Sequence, residues 1–455
     1  MRPNGPSPGG CPVDPGRTRL SMSHMHQTSR RRGVSRPTFR AATTLLAVAL
    51  ALAPWHASFA QSVPGRDLAS VQRWLRDHNP ELAALALEAE AARERVYPAG
   101  ALPDPMVGLT LRGIDPSEPW RGPSPEAGNL LQVRQRFPLW GKRDLARSIA
   151  SHEADAVRHE AAARGRELLA QAEAAYVRYW EAAESLKVID RRLVLLRQIE
   201  EIAGVRYALG MAPQQDAIRA QVAATALQSE RLDREAMQRE AAAMLNGLLG
   251  RPGGAPLEAP AGAPDLPLRY TTIEDALAAS ATAAHPALAA RDAMVRAAED
   301  AERLQLRSRL PDVTFGVGAM EQRGGLDSLE FMVELEVPLQ RRARRARERE
   351  ASLRAGAARL RETSTERELA ARLAGGLARW RAARARRELT ERTLLVQADA
   401  NFRSALASYQ TGEVDFATVL DALDAWQDAE LSRLSSRRDE GLAAADVRAI
   451  EGVTL

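Results

Sequence analysis

The chain has 455 residues, a formal net charge of +4 and a single cysteine, Cys11. That cysteine falls in an N-terminal leader, so the exported chain has no thiol, which excludes disulfides, cysteine zinc sites, cysteine nucleophiles and a lipid-anchor cysteine. The surplus of positive charge is also raised by the Arg-rich leader, so the basic balance does not point to nucleic acid.

Residues 1–60 read as leader and signal peptide. Arg30, Arg31, Arg32, Arg36 and Arg40 precede an apolar core from Leu45 to Ala53 and a small-residue site at Ser58-Phe59-Ala60, so cleavage is expected between Ala60 and Gln61. The core is too short to span a membrane as a helix, and no run of about 20 apolar residues follows it. Any contact with lipid must come from strands.

A first repeat is expected over 61–250. Leu68, Val71, Leu75, Leu82, Leu85 and Val96 recur at helical spacing, with Pro80 as a break between two helices. The period then drops to two. Val107, Leu109 and Leu111 alternate with Gly108, Thr110 and Arg112 in a strand over 105–113, and Leu131, Val133 and Phe137 do so over 129–137, where Gln135 interrupts the apolar row. The Pro-rich stretch from Gly113 to Gly128 reads as a loop. After Gly141 a helical pattern runs without proline to Leu209, about 70 residues or on the order of 100 Å, and a rod of that length must pack along other rods. Leu186, Ile189, Leu193, Leu196, Ile199 and Ala203 form its stripe. Gly210 and Pro213 stop and restart the helix at a tip over 207–213, and a return helix reaches Leu249.

A Pro- and Gly-rich linker, 251–270, leads to a second repeat over 271–448 and a tail over 449–455. Val313, Phe315, Val317 and Ala319 hold the apolar positions of a strand over 312–320, and Phe331, Val333, Leu335 and Val337 those of another over 329–337, around a Gly324-Gly325 turn. The second tip falls over 409–415. His285-Pro286 answers Asn79-Pro80 at an offset of 206 (285 − 79), Leu310-Pro311-Asp312 answers Leu102-Pro103-Asp104 at 208 (310 − 102), Val337-Pro338-Leu339 answers Phe137-Pro138-Leu139 at 200 (337 − 137), and Tyr409 answers Tyr207 at 202 (409 − 207). The chain is a duplication. Four strands of about nine residues suit a bilayer, but two open edges would leave unpaired backbone groups in hydrocarbon at several kcal/mol each, so copies from other chains must close the sheet. Alternation alone leaves open a soluble sheet packed under helices; the export signal favours the membrane.

With the repeat laid out, the chain resembles the TolC-type outer-membrane efflux family over residues 66–448. The pieces that carry the resemblance are Asn79-Pro80-Glu81-Leu82, Leu102-Pro103-Asp104-Pro105, Phe137 to Arg143, Arg206-Tyr207-Ala208-Leu209-Gly210 and Val414 to Ala422. The Asn-Pro-Glu-Leu and Gly-Lys-Arg segments are closer to the heavy-metal and cation branch. The resemblance implies a mainly α fold with a small transmembrane β part, in which a homotrimer joins a twelve-stranded barrel to a helical tunnel across the periplasm. It implies a location in outer-membrane lipid, a periplasmic adaptor and an inner-membrane pump as partners, and a role as exit duct. No nucleophile elbow, phosphate loop or acid/base pair stands in the sequence and its few histidines are scattered, so neither an enzyme nor a metal or cofactor is expected.

Tyr207, Gly210, Tyr409 and Gly412 mark the two tips, which in this family dock on the adaptor. Asp421, Asp424 and Asp428 share one helix face, and three-fold symmetry would turn them into rings of carboxylate favouring cations. By the resemblance Asp421 occupies an acidic gate position, whereas the other gate position falls on Thr418. Glu413 and Asp415 read as first-turn structural charges. His152 and His159 have a spacing that could bind metal, and read instead as surface histidines; Arg341 to Arg347 reads as a solvated helix start, without the aromatics of a nucleic-acid site. Trp140, just past the second strand, suits either an anchor at the lipid boundary or a packing role. A periplasmic helical scaffold without a pore is the alternative from another class, and the cargo, whether drug, metal ion or polypeptide, is not encoded legibly.

Overall fold

A computed structural model describes residues 63–124, 126–279 and 282–451. The expected cleavage point at Ala60 and Gln61 lies outside them. The first repeat runs α1 (Leu68–His78), α2 (Pro80–Glu94), the single turn α3 (Val96–Ala99), β1 (Met106–Thr110), β2 (Asn129–Phe137), α4 (Lys142–Ala208) and α5 (Gln214–Leu248). The second runs α6 (Ile273–Ala278), α7 (Pro286–Arg307), β3 (Asp312–Gln322), β4 (Gly325–Glu336), α8 (Arg341–Leu389), a π-turn over Thr390–Leu394, α9 (Leu395–Thr411) and α10 (Phe416–Glu451). The π-turn takes up an extra residue, and it lies where the offset between the repeats grows from 200 (337 − 137) to 202 (409 − 207).

The recurring X-Pro motif has a physical reason. Asn79 caps α2 by accepting from the Leu82 N–H at 2.9 Å, and its amide donates to the Leu248 carbonyl at 2.7 Å, fastening the start of α2 to the end of α5. His285 does the same in the second repeat: Nδ1 accepts from the Ala287 N–H at 3.2 Å, and the ring also bonds the backbone of Ala449 at the end of α10. Accepting at Nδ1 requires a neutral ring, whereas the bond to Ala449 is donated by the ring and survives protonation. Burial first, then the charges of Arg166 and Arg372, hold the His285 pKa below the ordinary imidazole value, against the opposing pull of Ala449 and Glu167. A folded-state pKa lowered in this way makes the unfolded chain the better proton binder, so the stabilisation is complete above about pH 6.5 and is lost as pH falls from there through the folded value. His285→Asn, which copies Asn79, should keep the cap and flatten that pH dependence, as thermal melts across the window would show.

Around α4 the predicted stripe is buried except at its first residue, Leu186, which is half-buried. Ile189, Leu193, Leu196, Ile199 and Ala203 pack with Leu227 of α5, Phe402 and Tyr409 of α9, and Phe416, Val419, Leu423 and Trp426 of α10. Apolar spacing alone thus brings the rods of both repeats into one bundle. Towards the other end, Glu173 of α4 is buried and receives Arg448 of α10 and Gln72 of α1, with the Gln72 amide 2.8 Å away. A buried carboxylate needs such partners to remain charged.

The sheet is antiparallel throughout, in the order β1-β2-β3-β4. β1 stops at Thr110, short of the expected 105–113, and the chain turns at Gly113, whose φ of 69° suits glycine. β3 and β4 are longer than expected because the turn is Arg323-Gly324, not Gly324-Gly325. Both residues have positive φ, 52° and 80°, and Gln322 pairs with Gly325, the geometry that matches the strands' own twist.

Candidate functional site

Side-chain rows cross the sheet. One runs Leu109, Leu131, Ala319, Leu329; the next runs Val107, Val133, Val317, Phe331; beyond them Phe315 sits opposite Val333, and Val313 opposite Leu335. These rows are apolar, yet Val107 is 70%, Val317 50% and Phe331 79% exposed. The reverse face carries Arg134, Gly316 and Met332, then Gln132, Gly318 and Glu330, then Arg136, Thr314 and Glu334. A soluble sheet buries its apolar face; this one presents it outward, as lipid demands. Gln135, the polar intruder, donates its amide to the Pro103 carbonyl at 2.6 Å and the Arg136 carbonyl at 3.1 Å, so its N–H groups are satisfied by the protein's own backbone. β1 and β4 each have one side without a partner strand among the described residues.

At the opposite end of the long helices the tips close alike. Gly210 and Gly412 have φ of 72° and 85°, and each helix ends in a six-residue loop bond, Met211 N–H to the Arg206 carbonyl and Glu413 N–H to the Ser408 carbonyl, both 2.8 Å. The two tyrosines have different fates. Tyr207 is half exposed beside exposed Leu209 and Met211, whereas Tyr409 is 1% exposed. Its hydroxyl donates to Asp216 of α5 at 3.3 Å, its ring meets Phe416 edge-on at 5.6 Å, and the Arg206 guanidinium lies 4.4 Å over its face. Burial, then the Asp216 charge, pushes the phenol up to about 12, so it remains a donor. Tyr409 therefore ties the second tip to the first inside one protomer, and Tyr207 is the one at the surface.

On α10, Thr418, Asp421, Asp424 and Asp428 are exposed, while Phe416, Val419, Leu423 and Trp426 on the other side are buried. Thr418 is engaged locally: its N–H and hydroxyl both donate to Asp415, at 2.9 and 2.6 Å, and these bonds hold the Asp415 carboxyl below the usual carboxylate range. Asp424 forms an ion pair with Arg192 of α4, which also holds Gln427. Asp421 has no cationic partner among the described residues. Arg192, Arg206 and Asp216 were not legible as site residues, because their partners lie 232, 203 (409 − 206) and 193 positions away.

Elsewhere, His152 lies 3.7 Å from the Asp300 carboxylate on α7. Arg341 to Arg347 form the start of α8. Trp140 is half exposed at the foot of β2, with its indole N–H donated to the Pro311 carbonyl at 2.9 Å. Among the described residues no helix is long and apolar enough to cross a membrane, and no group of three or more His, Cys, Asp or Glu could hold a metal ion.

The profile of a family described as "Outer membrane efflux protein" matches residues 73–251 and again 277–453, once per repeat. This chain belongs to that family. The efflux protein also shares its fold with solved structures. It resembles the outer membrane protein VceC from Vibrio cholerae at 19% identity and a TM-score of 0.71, over 84% of this chain and 96% of that one. A membrane protein from Pseudomonas aeruginosa matches at 20% identity and 0.73, over 86% and 93%. The open-state MtrE outer membrane channel of Neisseria gonorrhoeae matches at 17% and 0.70, over 86% and 89%. A search of curated proteins gives no significant match. The efflux protein is thus an outer-membrane protein whose outward apolar sheet meets the lipid.

Proposed function

We propose that three copies of this efflux protein close a twelve-stranded barrel and form the exit duct of a tripartite efflux or secretion system, receiving cargo from an inner-membrane pump through a periplasmic adaptor. The observation that carries this reading is the outward apolar face on a sheet with two open edges. Such a sheet is stable in lipid only when other strands complete it. A soluble scaffold would have to hide that face.

The adaptor meets the tips. Exposed Tyr207, Leu209 and Met211 give the Gly210 tip an apolar knob, whereas the Gly412 tip presents Gln410, Thr411 and Glu413. Tyr409 supports the docking surface from within.

The α10 face lines the narrow end of the duct. Of Thr418, Asp421 and Asp424, the first is tied to Asp415 and the third to Arg192, so Asp421 supplies the ring of charge. In planar bilayers Asp421→Asn should weaken block by trivalent cations, while Asp424→Asn should alter it less. Block unchanged by Asp421→Asn would remove the carboxylate gate from this account.

A further inference from the structure

The junction between the two repeats inside one protomer is a template for the junction between protomers. Inside the chain, β2 pairs with β3 in a register that sets Phe137 opposite Val313. Just below this pair, Asp312 at the foot of β3 accepts from Lys142 Nζ at 2.7 Å and from Arg136 at 2.9 Å. Lys142 also donates to the Leu310 carbonyl at 2.8 Å. Asp312 is buried in this clasp.

The duplication supplies counterparts for two of the three groups; Arg136 recurs 200 positions on (336 − 136) as Glu336, which pairs with Arg136 of its own copy at 2.7 Å. The Leu-Pro-Asp motif recurs as Leu102-Pro103-Asp104, and Lys142 recurs as Arg342, 200 positions on (342 − 142). Within one copy Asp104 leads into the edge strand β1, and Arg342 opens α8 just after the opposite edge strand β4. Both are exposed, and neither has an ion-pair partner among the described residues. Transferring the internal register by the same offsets sets Val337, just past β4, opposite Pro105, just before β1, and, further along, Leu335 opposite Val107 and Val333 opposite Leu109. All four of these paired apolar residues lie on the outward face, so the greasy band continues unbroken across the joint, which a one-residue slip would forbid.

The helices below agree with this joint. On α2, Leu87 is 66% exposed, although its counterpart Ala293 in α7 is buried; on α8, Leu353 and Leu360 are about three-quarters exposed. Glu90 and Glu94 flank the first surface, and Arg345 and Arg349 the second. Charge and apolarity are complementary between the two faces, and α2 and α8 carry the free sides of one protomer.

Resting on the trimer reading above, we infer that adjacent copies join through a second edition of the internal clasp, with Asp104 of one copy gripped by Arg342 of the next. The test uses the full chain assembled in membranes, whose exported part has no cysteine of its own. Asp104→Cys combined with Arg342→Cys should give covalent dimers and trimers on a denaturing gel after treatment with a short bis-maleimide, and neither single variant should do so. Asp104→Arg should lower the temperature at which trimers dissociate, and adding Arg342→Asp should restore it. Trimers by light scattering that neither cross-link nor respond to the charge swap would overturn this pairing and leave the trimer standing. A protein that is monomeric in detergent would overturn both.

Discussion

Val317→Arg is expected to block assembly in the outer membrane while leaving the helices folded. Val317 sits in the row Val107, Val133, Val317, Phe331, near the middle of the apolar band, and faces outward. An arginine on the lipid face of a barrel costs about 2–4 kcal/mol at mid-depth, and three-fold assembly would repeat that cost in every copy. Gln132→Arg provides the contrast. Gln132 lies on the reverse face, between Gly108 and Gly318, where the account places water rather than lipid. It should assemble normally and alter conductance. Membrane fractionation and heat-resistant trimers on a gel read the first outcome, and single-channel recording reads the second. Equal assembly of the two variants would mean that the apolar face does not meet lipid.

Tyr409→Ala should have the largest effect at the tips. Tyr409 is fully enclosed by Phe416, Arg206 and Asp216, and removing a buried aromatic ring costs about 3 kcal/mol or more through lost contacts and the cavity left behind. Tyr409→Phe keeps the ring and loses only the bond to Asp216, about 1 kcal/mol. The equivalent change at Tyr207, half exposed, should barely move stability and should weaken adaptor binding instead. Thermal melts rank the three variants, and a pull-down with the adaptor separates Tyr207 from Tyr409. A Tyr207→Ala variant as unstable as Tyr409→Ala would contradict the different burial of the two tips.

These two tyrosines also show where sequence reading stops. They occupy the same place in each repeat, followed three residues later by glycine, and the helix ends they mark form as the glycines dictate. Their burial differs because Asp216 and Phe416 close around only one of them, and that depends on how the repeats pack, which local spacing does not report. The same applies to Asp424, whose charge reads as free along α10 until Arg192 arrives from α4. By contrast, the strand faces, the break at Pro80 and the long rods follow from period and proline alone. Leu111 continues the alternation past the end of β1, while the turn at Gly113 ends the pairing. The hairpin turn sits one residue before the Gly324-Gly325 pair because Arg323, a non-glycine with positive φ, carries no sequence signal for that conformation.

On the proposed reading one copy is an incomplete barrel. The most direct test is the mass of the protein extracted from outer membrane in mild detergent and measured by native mass spectrometry or light scattering. Three copies per particle are expected, released by detergent and not by salt. A single copy, freed by salt alone and stable in water, would contradict it.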